Sequence, residues 1–67
     1  MAHVRREELK LNMLITKSGE PLYLIIGLLS TGDVALQNTL TGKMKLQSEE
    51  KFNKMKWKYQ GMAKRKT

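Results

Sequence analysis

No cysteine occurs in this chain of 67 residues, and His3 is its one histidine. Disulfides, thiol catalysis and cysteine-based zinc sites are excluded, and a histidine-rich metal site with them. Acidic residues are scarce, six against 13 lysines and arginines, for a formal net charge of +7. They fall as Glu7-Glu8, Glu20, Asp33 and Glu49-Glu50. Most of these lie in turns or at a helix start, and no nucleophile, base and orienting group can be assembled around His3. No enzyme activity, metal or cofactor is expected. The longest apolar run, Leu22 to Leu29, has eight residues including Gly27. A membrane-spanning helix needs about 20. The N-terminus carries charges but no following apolar stretch of signal-peptide type. A cytoplasmic protein without membrane contact is expected.

Enough apolar sequence is present, 40% of residues, for a core rather than a disordered basic tail. The length allows one domain, which buries only roughly 60% of the surface its unfolded chain exposes. Charge is unevenly placed. Residues 1–42 balance Arg5, Arg6, Lys10 and Lys17 against Glu7, Glu8, Glu20 and Asp33. Residues 43–67 set nine lysines and arginines against Glu49 and Glu50, so the whole excess of +7 belongs to them. Such asymmetry points to an acidic partner.

Three glycines sit in turn-like settings: Lys17-Ser18-Gly19-Glu20-Pro21, Ser30-Thr31-Gly32-Asp33 and Thr41-Gly42-Lys43. Their spacing suits a tight antiparallel meander. Between the turns the chain alternates with period two, the mark of strands with one buried face. Leu9, Leu11, Met13 and Ile15 point one way in the first segment. Val34, Leu36 and Leu40 do so in the third, and Met44 and Leu46 in the short fourth. The second segment, Leu22 to Leu29, is apolar on both faces, and Gly27 within it suggests a bulge or bend.

Ser48 followed by Glu49 and Glu50 reads as a capped helix start. Alternation then returns in Lys54-Met55-Lys56-Trp57-Lys58-Tyr59. A competing reading is one helix over 49–62, because Phe52, Met55, Tyr59 and Met62 are spaced 3, 4 and 3. It strands Trp57 on another face, so a helical turn followed by a strand is preferred. The expected organisation is an N-terminal segment (1–8), a domain (9–60) and a basic tail (61–67).

Five short strands with a helical turn before the last form the plan of an SH3-like small barrel. The stretch Gly19 to Trp57 resembles the Tudor/KOW-type barrels. It has the apolar strand Tyr23-Leu24-Ile25-Ile26, a Gly-Asp turn, Val34-Ala35-Leu36-Gln37-Asn38, the Thr41-Gly42-Lys43 hairpin and Ser48-Glu49-Glu50-Lys51-Phe52 before a closing strand. The resemblance is one of pattern. A Tudor aromatic cage and a KOW-type glycine-rich signature have no counterpart. It implies a mainly β fold of a superfamily that commonly binds nucleic acid or proteins in ribosomal, transcriptional or phage settings.

On a last strand that alternates, Lys54, Lys56 and Lys58 stand on the outer face about 7 Å apart. Lys43 and Lys45 form a second such row on the fourth strand, and Lys64, Arg65 and Lys66 add a basic arm. These rows suit the phosphates of DNA or RNA, which flexible ammonium groups meet as point charges. Edge lysines also protect sheets from aggregation, and an acidic protein surface is a third partner. Trp57 belongs to the core on this pattern, whereas Tyr59 is a candidate for stacking on a base. Leu22, Leu24, Ile26 and Leu28 are candidates for an interface, either of a homo-oligomer or with another protein. The expected function is thus a small nucleic-acid-binding accessory or regulatory protein. The alternative is a protein-interaction module, such as a phage-type regulator docking on a larger host or viral protein.

Overall fold

Gly19, Gly32 and Gly42 all adopt positive φ, at 79°, 99° and 79°, and each lies in a turn between strands, as their sequence settings demand. The computed structural model describes residues 3–63. A 3-10 turn at Arg6–Glu8 is followed by β1 (Met13–Thr16), β2 (Tyr23–Leu28), β3 (Val34–Asn38) and β4 (Met44–Gln47). The helix α1 (Glu49–Lys54) and β5 (Lys58–Met62) complete the chain. All strand pairs are antiparallel, in the order β4-β3-β2-β1-β5. The protein is therefore mainly β, a five-stranded antiparallel sheet with one short helix.

One face of the sheet carries the core. Met13 and Ile15 of β1, Tyr23 and Ile25 of β2, and Val34 and Leu36 of β3 are buried on it. Phe52 from α1 and Trp57 from the segment after it close over them, both with no exposed surface. The N-terminal segment belongs to the same body. Val4 is buried and its N–H donates to the Trp57 carbonyl at 2.8 Å. Arg6 ties the 3-10 turn down, its side chain donating to the carbonyls of Gly32 (2.8 Å) and Leu29 (3.1 Å).

Gly27 marks a bulge. Ile25 pairs with Leu36, but Gly27 pairs with Ala35, so Ile26 is the extra residue of β2. A Cβ on Gly27 would meet that of Ala35 at 3.1 Å, so the strands approach closely here. The bulge explains the doubly apolar strand: beyond it Leu28 pairs with Val34 and packs on the core, while Ile26 is left outside.

Several sequence expectations need correction. β1 starts at Met13; Leu11 is 54% exposed, beside Asn12 with φ 70°, so the alternation from Leu9 does not run as one strand. Leu40 lies in the β3–β4 turn and is 81% exposed. In β4 the faces are the reverse of those expected. Lys45 pairs with the inward Leu36, whereas Leu46 and Met44 pair with Ala35 and Gln37 and are exposed. As an edge strand, β4 reaches the core only at its rim, where a lysine stem can cover apolar surface and keep its charge in water.

Residues 49–62 are a helix and a strand, not one helix, but the strand begins later than expected. Lys54 ends α1, Lys56 sits in a turn with φ 57°, and only Lys58 lies on β5. The row of three lysines along one strand does not form. β5 also extends past residue 60, through Gly61 and Met62. Lys64, Arg65 and Lys66 lie outside the described residues.

Candidate nucleic-acid interface

In an antiparallel meander alternate turns fall at the same end of the sheet. The β1–β2 turn, the β3–β4 turn and the start of β5 share one end, which places Lys17, Lys43, Lys45 and Lys58 at that end, Lys43 and Lys45 toward the edge strand β4 and Lys58 on the opposite edge strand β5. Lys58 pairs with Thr16, the neighbour of Lys17, and Lys56 precedes it by two residues. Of the six acidic residues only Glu20 lies in these turns. The opposite end holds Asp33 in the β2–β3 turn, Glu49 and Glu50 at the start of α1, and Glu7 and Glu8 in the 3-10 turn that Arg6 anchors there. Among the described residues, five of the six acids therefore lie at the end of the sheet opposite Lys17, Lys43, Lys45 and Lys58.

Two aromatic rings organise the basic end. Tyr23 and Trp57 meet edge to face, 5.4 Å between centroids, and Phe52 stacks on Trp57 at 6.0 Å. The Lys45 ammonium lies 4.8 Å from the centre of the Tyr23 ring and that of Lys17 lies 5.6 Å from the Trp57 ring. Cation–π attraction at such distances contributes roughly 0.5–1 kcal/mol at exposed sites. It holds both cations against the core rim without neutralising them.

Beside Tyr23 lies a cavity of about 330 Å³ lined by Tyr23, Asn38, Thr41, Lys43, Met44 and Lys45. The turn that forms it is held from within. Asn38 Oδ1 accepts from the N–H groups of Leu40 (2.8 Å) and Thr41 (3.2 Å), and Thr41 Oγ1 accepts from the Lys43 N–H (3.2 Å). The Asn38 carbonyl accepts from Gly42 at 2.7 Å, and the Gly42 carbonyl from the Gln37 side chain at 3.2 Å.

Lys43, Lys45 and Lys58 therefore share one end with Lys56 close in sequence, while Lys54 stands apart at the end of α1. Trp57 is core, and Tyr59 is 52% exposed on the edge strand β5. The bulge divides the candidate interface residues: Leu22 and Leu24 are half-buried, Ile26 faces out and Leu28 faces the core. Ile26 instead joins Ala35, Met44, Leu46 and Lys45 around a second groove, of about 400 Å³.

Sequence reasoning overlooked Lys17, because it sits in the neutral part of the chain, and gave no role to Asn38 at a strand end or to Thr41 in a hairpin turn. The expected meander already puts the first and third turns at one end; the pairing of β5 with β1 was the missing signal. Among the described residues no helix is long and apolar enough to cross a membrane, and no three His, Cys, Asp or Glu side chains form a group that could hold a metal. Compared with protein-family models, with curated proteins and with solved structures, the chain matches none.

Proposed function

We propose that this protein is a small cytoplasmic nucleic-acid-binding accessory or regulatory protein, without catalytic activity, that contacts the phosphate backbone through the basic end of its sheet. One observation carries the reading: four lysines from three separate stretches of sequence, Lys17, Lys43 with Lys45, and Lys58, lie at one end of the sheet with a single acid, Glu20, in its turns. Concentrated positive charge favours phosphate and confers little base preference. Lysine outnumbers arginine ten to three, which fits backbone contact better than bidentate reading of guanine. In this reading the sheet curls into an SH3-like small barrel, with Gly27 bending β2.

The test replaces Lys17, Lys43, Lys45 and Lys58 together with Gln and measures binding to double-stranded DNA, single-stranded DNA and RNA. Affinity is expected to fall at least 30-fold at low salt for the bound form, following the loss of four phosphate contacts. The variant Lys10→Gln/Lys51→Gln, which removes two charges elsewhere, should change it by less than about threefold. Equal losses in the two variants would count against a localised site.

A second reading, a protein-interaction module, has the groove of Ile26, Ala35, Met44 and Leu46 in its favour. Its apolar floor suits an apolar protein segment, whereas a second copy would bring another +7 of charge. A protein retained through nuclease treatment and moderate salt, and lost on Leu46→Glu, would favour this reading over the first.

A further inference from the structure

We propose that the cavity at the β3–β4 turn is a phosphate-binding pocket in which Asn38 and Thr41 supply hydrogen bonds and Lys43 and Lys45 supply charge. This deepens the nucleic-acid reading and rests on it for the source of the phosphate. The argument is one of donors and acceptors. Asn38 Oδ1 is committed to the Leu40 and Thr41 N–H groups, so the polar group its side chain can offer a ligand is the Nδ2 amide, a donor. Thr41 Oγ1 accepts from the Lys43 N–H with one of its two lone pairs, and its hydroxyl hydrogen has the freedom to donate to an anion. Lys43 and Lys45 have only donors. The nearby carbonyls of Asn38, Gly42 and Lys43 accept from Gly42, Gln37 and Asn38.

The side-chain polar groups lining the turn's side of this cavity therefore present hydrogen-bond donors and two positive charges. An anion with several acceptor oxygens is the complementary ligand, and phosphate fits that description. At about 330 Å³ the cavity also leaves room for a sugar or base attached to the phosphate, being at the lower end of small-molecule sites. The Tyr23 ring, 4.8 Å from the Lys45 ammonium, favours that cation's place at the cavity wall.

Asn38→Asp is the discriminating variant. Aspartate keeps the acceptor that the turn requires but replaces the Nδ2 donor with a second carboxylate oxygen. Ser18→Asp is its control, adding one negative charge to the exposed β1–β2 turn at the same end, away from the cavity. The full chain, labelled with ¹⁵N, is titrated with a five-residue oligothymidylate and separately with inorganic phosphate, following the Asn38 side-chain amide. Both probes are expected to move that signal. Asn38→Asp should weaken oligonucleotide binding about tenfold or more, and Ser18→Asp less than threefold. Equal losses in the two variants with an unmoved Asn38 amide would overturn the pocket and leave the basic-end reading standing. A response to phosphate that Asn38→Asp abolishes, without oligonucleotide binding, would uphold the pocket for a small phosphorylated ligand and overturn the nucleic-acid reading. No movement of the amide with either probe would overturn the pocket even if the variant failed to fold.

Discussion

Lys56 holds a left-handed conformation, φ 57°, which costs a residue with a Cβ roughly 1–2 kcal/mol. Glycine is the usual residue where a helix ends this way. Lys56→Gly should therefore stabilise the fold by about 1 kcal/mol, raising Tm by about 4–8 °C for a domain of this size. If Lys56 serves the basic end, the same change should weaken nucleic-acid binding, so that stability and affinity move in opposite directions. Thermal melts and binding isotherms on one preparation would read both. Trp57 presents the converse case. It is fully buried against Phe52 and Tyr23, yet its Nε1 has no hydrogen-bond partner among the described residues. An unpaired buried N–H costs about 1–3 kcal/mol, so Trp57→Phe should lose less than its reduced area implies. Trp57→Ala should cost about 3–5 kcal/mol. A domain of 67 residues has about 3–10 kcal/mol in all, so the alanine variant should lose about a third or more of the fold's stability. Urea titration followed by far-UV circular dichroism would compare them, since Trp57 is the sole tryptophan.

At the scale of elements, α1 has six residues and depends on its cap and on packing through Phe52. Ser48 Oγ accepts from the Lys51 N–H at 3.3 Å, and Ser48→Ala should cost about 1 kcal/mol, visible as a lower urea midpoint. This cap, the three turns and the bend at Gly27 were legible because each depends on local chemistry: a hydroxyl before acids, or a residue without Cβ. The faces of β4 and the start of β5 were not. Alternation shows that a strand has two faces but not which one meets the core at an edge, and β3 register makes Lys45 the inward residue. Likewise Lys54-Met55-Lys56-Trp57-Lys58 alternates in sequence through a helix end, a left-handed turn and a strand start. Trp57 is still buried, because the left-handed turn at Lys56 redirects the chain toward Tyr23 and Phe52.

At the scale of the whole molecule, the candidate site was half legible. Lys43, Lys45 and Lys58 stand out from the alternation of the sequence, and the expected meander sets the turns of Lys17 and Lys43 at one end, but the pairing of β5 with β1 that puts Lys58 beside Thr16 is recorded by no local pattern. The shared end sets the electrostatics. If Lys17, Lys43, Lys45, Lys56 and Lys58 each displace a counterion from duplex DNA, log K should fall with log salt at a slope of about −4.5. Affinity would then drop roughly 500-fold between 50 and 200 mM salt, with a slope nearer about −3.5 on a single strand. The measurement is fluorescence anisotropy with a labelled 20-nucleotide probe at four or more potassium chloride concentrations. Replacing Lys17, Lys43, Lys45 and Lys58 with Gln should flatten the duplex slope to about −1, because only Lys56 of the five remains. A loss of affinity with an unchanged slope would mean that these lysines shape the protein without touching phosphate. Lys45 and Lys17, held over aromatic rings of the core, are the two for which that distinction matters most. Changing only this pair to Gln should reduce the slope by about 2 if they engage phosphate and leave it untouched if they serve the core alone.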